Sequence, residues 1–189
     1  MLNICKAYSY KMVVLALAGT TLFFGCKADI EMVNALTEQE NTPGVSSVNS
    51  TMTYTESGIV KIKVFAPKTF YYQFAEEPYS EFPEGIEVYT YTDSMTIESQ
   101  LTSNYAIYYD KKQLWIARNN VVAMNKKGDI LNTEELFWDE AKKEIYSNEN
   151  VKVTTADGVI FGKGFVSDER FVDWRIKKMS GSFYVDEEN

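Results

Sequence analysis

The sequence predicts an all-β fold of antiparallel strands, and three observations predict it. Several short segments alternate strictly between apolar and polar residues, turn signals recur at regular intervals, and one stretch of the chain repeats itself. Val60-Lys61-Ile62-Lys63-Val64, Ile86-Glu87-Val88-Tyr89 and Val151-Lys152-Val153-Thr154 show the two-residue period of half-buried strands. Turn signals stand at Thr92-Asp93-Ser94, Asp110-Lys111-Lys112, Asn119-Asn120, Lys127-Gly128-Asp129, Asp157-Gly158 and Ser180-Gly181. Most are about 8–12 residues apart, the rhythm of an all-β sandwich or barrel.

The N-terminal part has a different composition. Lys6 and Lys11 precede the apolar run Met12 to Ala18, which continues through Leu22-Phe23-Phe24 to Gly25-Cys26. A basic start, a short apolar stretch and a small residue at the break describe a secretory signal over residues 1–25. The run is shorter than the ~20 residues that span a bilayer, so an uncleaved transmembrane anchor is the weaker alternative. Gly25-Cys26 resembles the lipobox of bacterial lipoproteins, although Phe23 and Phe24 replace its usual small residues. The resemblance implies that Cys26 is acylated and begins the mature chain. Cys5 falls inside the signal, so the exported chain would keep one cysteine and no disulfide framework.

Residues 26–57 are polar and poor in aromatics, and they read as a lipidated N-terminus followed by a flexible tether. Ile30, Val33 and Leu36 have helical spacing within it. Residues 58–189 then form the folded domain.

Composition excludes several function classes. Of 19 cations and 27 carboxylates, only Lys6 and Lys11 precede Cys26, so the mature chain carries 17 − 27 = −10. Such a chain offers no basic face for nucleic acid. The sequence has no His, which removes Ser-His-Asp and Cys-His catalysis and the commonest metal ligand. The acidic pairs, Asp168-Glu169 among them, read as solvated charges rather than a catalytic couple, so no enzyme, metal or cofactor is expected.

One segment conflicts with an all-β reading. Thr133 to Ile145 contains Glu, Leu, Ala and Lys with a plausible N-cap, and alone it reads as a helix. The repeat overturns this. At an offset of 30 residues Leu101 pairs with Leu131, Tyr108 with Trp138, Lys112 with Lys142, Asn120 with Asn150, Val121 with Val151 and Gly128 with Gly158. The counterpart of the helix-like stretch is Tyr105-Ala106-Ile107-Tyr108-Tyr109, strongly β in character. Copies of one supersecondary unit share a conformation. Residues 133–147 are therefore expected to be two strands joined by a turn near Asp139–Lys143.

The repeat also assigns an inward face. Ala106 with Leu136, Tyr108 with Trp138, Trp115 with Ile145, Val121 with Val151 and Ala123 with Val153 are apolar or aromatic in both copies. Their neighbours Tyr105/Glu135 and Tyr109/Asp139 are not, and should face water. The test is ambiguous for Ile130/Ile160 against Leu131/Phe161. Periodicity alone leaves open whether the inward stripe fills a closed core or lines a groove.

Glu77-Pro78-Tyr79-Ser80-Glu81-Phe82-Pro83-Glu84-Gly85-Ile86, Leu101 to Tyr109, Thr133 to Lys143, Ile145-Tyr146-Ser147, Val151 to Thr155 and Asp157 to Phe165 resemble the LptC family, the periplasmic component of the lipopolysaccharide exporter, in its Bacteroidetes-type lipoprotein branch. The resemblance spans about 58–185. It implies a twisted antiparallel β-jellyroll built from repeated short strands, held at the inner membrane and facing the periplasm. It further implies that the inward stripe binds lipid acyl chains delivered by an inner-membrane ABC transporter complex. A periplasmic bridge protein of the same fold would then receive the lipopolysaccharide, edge to edge. Trp174, Ile176, Phe183, Tyr184 and Val185, in two alternating segments at the C-terminus, are the expected docking edge. The anchor departs from the family pattern, because familiar members use a transmembrane helix where this chain offers Cys26. A competing reading is a cell-envelope lipoprotein that binds carbohydrate or protein through an aromatic exterior of Tyr71, Tyr72, Tyr79, Tyr89 and Tyr91.

Overall fold

A computed structural model describes residues 42–180. The chain divides into two units, Met1–Thr37 and Glu38–Asn189, and every described residue belongs to the second. Cys26, the apolar run before it, the segment with helical spacing and Phe183, Tyr184 and Val185 lie outside the described residues.

The described residues form eleven strands: β1 (Val45–Glu56), β2 (Ile59–Tyr72), β3 (Tyr79–Phe82), β4 (Ile86–Tyr91), β5 (Ile97–Ser103), β6 (Tyr105–Tyr109), β7 (Leu114–Asn125), β8 (Ile130–Asp139), β9 (Glu144–Thr155), β10 (Gly158–Asp168) and β11 (Trp174–Met179). All pairings are antiparallel within one sheet. The fold is all-β and jellyroll-like, as the sequence predicts. Among the described residues no helix is long and apolar enough to cross a membrane.

Two long strands organise the sheet. β2 pairs with β4 through Ile62–Phe65 and with β3 through Phe70–Tyr72. β7 pairs with β6 through Leu114–Arg118 and with β5 through Val122–Asn125. Because β3 pairs with β6 and β4 with β5, the six strands close a ring. β1 extends the sheet beyond β2, while β8, β9, β10 and β11 extend it beyond β7.

The ladders of β7, β8 and β10 slip partway along these strands, between Arg118 and Val121, between Thr133 and Phe137, and between Lys163 and Phe165. Further slips lie between Tyr54 and Thr55 and between Thr90 and Tyr91. Bulges of this kind sharpen local twist and turn a strand from one sheet to another. Asn119 and Asn120 take positive φ of 62° and 55° at the bend, a conformation Asn tolerates better than most residues. This pair is thus a bulge within one continuous strand, correcting the turn expected there. Backbone groups that lose ladder partners at the bend find side chains instead. The Thr133 hydroxyl lies 3.1 Å from the Asn150 carbonyl and 3.2 Å from Ser147 Oγ, which accepts from the Glu149 amide at 3.1 Å. In the first copy Ser103 donates to the Tyr105 carbonyl at 3.0 Å. These buried hydroxyls form a polar seam across the mainly apolar interior.

The seam divides the sheet into two facing halves, and the core lies between them. Ala117, Leu136, Ile145 and Phe165 from one half pack with Val121, Ala123, Leu131, Val151 and Val153 from the other. A second cluster, Val64, Ala66, Phe82, Ile86, Val88 and Ala106, fills the ringed end.

The repeat is visible in the backbone. The turn after β6 and the turn after β8 place Gln113 and Lys143 at φ of 50° and 55°, with matching 3.3 Å hydrogen bonds to Asp110 and Glu140. Residues 133–147 are indeed two strands. Cross-strand pairs Ala117–Leu136, Trp115–Trp138 and Trp138–Ile145 hold them there against their helical propensity. The ambiguous pair divides by strand: Leu131 is fully buried in β8, whereas Phe161 is exposed in β10.

Three further expectations need correction. Val45–Glu56 is not a tether but a twelve-residue strand registered along β2 from Val45–Tyr71 to Glu56–Ile59. Its side chains are largely exposed. It is held by backbone hydrogen bonds, so its hydropathy carried no trace of it. Asp139 does not face water; it is buried where its turn folds over, accepting from the Lys142 amide at 3.0 Å and pairing with the Lys142 ammonium. Asp168 is not a merely solvated charge, because its Oδ1 accepts from the amides of Val172 and Asp173 at 2.7 and 2.9 Å.

Candidate functional site

Between the two half-sheets lies an open cleft of about 540 Å³, within the range of small-molecule sites. Met52, Tyr54, Ile62 and Val64 form one wall; Tyr108, Trp115 and Trp138 form the other. Register explains the first wall, since Met52 pairs with Val64 and Tyr54 with Ile62, placing all four on one face. The second wall follows from the pairs Tyr108–Trp115 and Trp115–Trp138 across three adjacent strands. The rings stack in a row, with centroids 4.5 Å apart for Tyr108–Trp115, 6.4 Å for Trp115–Trp138 and 5.5 Å for Phe82–Trp115.

Behind the row is a smaller apolar cavity of about 60 Å³, walled by Ile86, Val88, Leu101 and Ala123 on one side and Ala117, Leu136 and Ile145 on the other. Trp115 and Trp138 line both spaces, so the two indoles partition them. Phe171 closes part of the cavity. It is 1 % exposed, packs edge-on against Phe165 at 5.6 Å and takes a φ of 54°, a sparsely populated conformation for a bulky side chain. The Asn125 amide holds its carbonyl at 2.8 Å, and Trp174 donates to Asp129 at 3.2 Å. The loop after β10 thereby straps one half-sheet to the other. Burial would push the Asp168 carboxyl up, but the Asp173 and Val172 amides, Ser167 and Arg170 together hold it below the ordinary carboxylate range.

The charged groups lining these spaces are Glu140 at the cleft and Glu169 at the cavity. Glu140 accepts from Trp115 Nε1 at 3.0 Å and from the Tyr108 hydroxyl at 3.3 Å. Burial first, then this carboxylate, pushes the Tyr108 phenol up to about 12, so Tyr108 stays a neutral donor. With no cation on the walls, the arrangement suits apolar chains and disfavours phosphate groups.

The inward residues named by the repeat separate into two groups. Tyr108, Trp115, Trp138, Ala123, Leu136 and Ile145 line the cleft or the cavity, whereas Ala106, Val121, Val151 and Val153 are packed core without facing either. Trp174 and Ile176 turn inward against the core, and β11, whose outer edge has no strand partner among the described residues, presents Arg175 and Lys177 on the opposite face. Sequence reasoning missed Met52, Tyr54, Ile62, Val64 and Phe171. The alternation at Ile62 and Val64 did signal an inward face, but the repeat that served as guide begins beyond it. The exterior tyrosines are already engaged: Tyr72 stacks on Tyr79 at 4.6 Å, and the hydroxyls of Tyr71, Tyr72 and Tyr89 donate to Asp110, Glu81 and Glu87.

No curated protein matches the chain. The family model described as lipopolysaccharide-assembly, LptC-related, matches residues 11–171, from Lys11, just before the N-terminal apolar run, through the strap at Phe171. A match over most of the sequence, on an all-β fold with an open cleft between its half-sheets, places this chain in the LptC-related family of lipopolysaccharide-assembly proteins.

Proposed function

We propose that this protein carries lipopolysaccharide by holding its acyl chains in the cleft between the half-sheets, receiving them from an inner-membrane ABC transporter and passing them to a periplasmic bridge protein of the same fold. Its part is that of a binding protein, and ATP hydrolysis elsewhere supplies direction. The observation that carries this reading is the cleft of about 540 Å³, whose walls are mainly aliphatic and aromatic, with Thr53 and Gln113 at their polar points and a carboxylate as the charged group. Photo-crosslinkers at Ile62, Tyr108 and Trp115 should capture lipopolysaccharide in cells. Crosslinkers at Glu135 and Lys152, on the opposite face of their strands, should not. Equal labelling of both sets would rule out an inward lipid path.

The reading includes an anchor and an exit. Acylated Cys26 would tether the domain to the inner membrane, and mass spectrometry of membrane-extracted protein should find a diacylglyceryl group there. A mature chain that retains Lys6 and Lys11 would contradict it. The exit is the edge of β11 that has no strand partner among the described residues, where backbone groups invite another strand. Deletion of β11 by truncation after Asp173, checked for folding by circular dichroism, should preserve association with the transporter and abolish capture of the bridge protein. Undiminished capture by the folded truncation would remove this edge from the path.

A further inference from the structure

The three tryptophans differ in what their indole N–H groups touch. Trp115 donates a hydrogen bond to Glu140 and Trp174 donates one to Asp129. Trp138 Nε1 is buried and no group of the protein accepts from it, the one buried side-chain polar atom so left among the described residues. A buried donor without an acceptor is costly, and native structures leave very few. The Trp138 side chain lines both the small cavity and the cleft, but Nε1 itself is enclosed by protein, so a ligand reaches it when the indole turns toward the cleft. The other donors on the aromatic row, Trp115 and Tyr108, are both committed to Glu140.

From these positions we infer that Trp138 Nε1 donates to the carbonyl oxygen where an acyl chain joins its head group. The inference rests on the acyl-binding reading above and specifies its ligand. The site recognises an ester- or amide-linked chain at its junction and not an alkyl chain alone. The carbonyl meets the indole at the partition, and the hydrocarbon lies along the apolar walls on either side of it. Trp138 is then a positioning and specificity residue, setting how deep the chain enters. A cavity of about 60 Å³ is smaller than the roughly 150 Å³ engineered void that accepts benzene, so the bulk of the chain stays in the cleft.

The test compares two amphiphiles with the same uncharged oligo(ethylene glycol) head and chain length, one linked to its chain through an ester and the other through an ether. With the purified full chain, calorimetry should show the ester bound about tenfold more tightly, the value of one hydrogen bond to an otherwise unpaired donor. In a spectrum of indole-¹⁵N-labelled protein, one of the three indole N–H signals should shift with the ester and stay in place with the ether. Trp138→Phe should weaken both ligands through lost ring contact but bring their ratio close to one. Preference retained in Trp138→Phe, or equal affinities without an indole shift, would overturn the inference and leave the cleft as a general apolar site. Binding of neither amphiphile by the unaltered protein would instead overturn the acyl-binding reading. Should Trp138→Phe fail to fold, the affinity ratio and the indole shift of the unaltered chain still decide.

Discussion

Replacing Ile62 by Glu is expected to lower acyl-chain binding by at least about 100-fold, roughly 2.7 kcal/mol, while leaving the fold intact. Ile62 lies in β2 opposite Tyr54 and Thr90 and presents its side chain to the open cleft. Because the residue is only partly buried, a carboxylate there can keep its water, so the domain folds. A chain passing that carboxylate must either strip its water or leave the wall. Ile62→Lys separates acyl recognition from phosphate recognition. If the cleft holds acyl chains, Lys damages binding as Glu does; if it holds phosphates, Lys improves it. Lipopolysaccharide capture in cells and amphiphile binding in vitro both read the outcome, with Ile62→Leu as the control that should change little. Undiminished capture by a folded Ile62→Glu would take the lipid path out of this cleft.

The largest effect expected on stability comes from Gly85→Ala, which should cost more than about 3 kcal/mol and lower the melting temperature by roughly 10 °C. Gly85 links β3 to β4 at the ringed end, with its amide bonded to the Phe82 carbonyl at 3.2 Å. Its φ is +86°, and an added Cβ would lie 2.1 Å from the Ser103 carbonyl oxygen and 3.0 Å from Asn104 Cα. The left-handed conformation accounts for about 1–2 kcal/mol. The remainder arises because the obstructing atoms are backbone at the β5–β6 corner, which cannot give way without opening the ring. Gly128→Ala isolates the first term, since Gly128 has a φ of +88° and open space where the Cβ would stand. Thermal melts of the two variants should therefore differ by several degrees, and equal melting points would refute the close-approach argument.

Much of the fold was legible because its signals are local and periodic. The 30-residue offset located both copies of the strand–turn–strand unit and identified the inward faces of Ala106, Leu136, Tyr108 and Trp138. It also outweighed the helix-forming composition of Thr133 to Ile145, where only cross-strand contacts decide. β1 was illegible for a definite reason. Strand alternation marks a buried side-chain face, and an edge strand held by main-chain hydrogen bonds need not have one. Asn119-Asn120 was misread because turns and bulges draw on the same residues, those that tolerate positive φ.

The sequence by itself determined an acidic chain without His, an all-β domain, a repeated unit and the face each repeated strand turns inward. These follow from composition and from a two-residue period that any neighbouring strand would respect. Only the tertiary structure decided that the inward face divides into packed core and open cleft. Val151 and Leu136 are equally apolar, yet one is enclosed in core and the other walls a cavity. The difference lies in the bends at the seam and in the strap at Phe171, which fix how far apart the two half-sheets stand. That separation depends on residues distant in sequence, such as Asn125 with Phe171 and Trp174 with Asp129, and no local pattern encodes it.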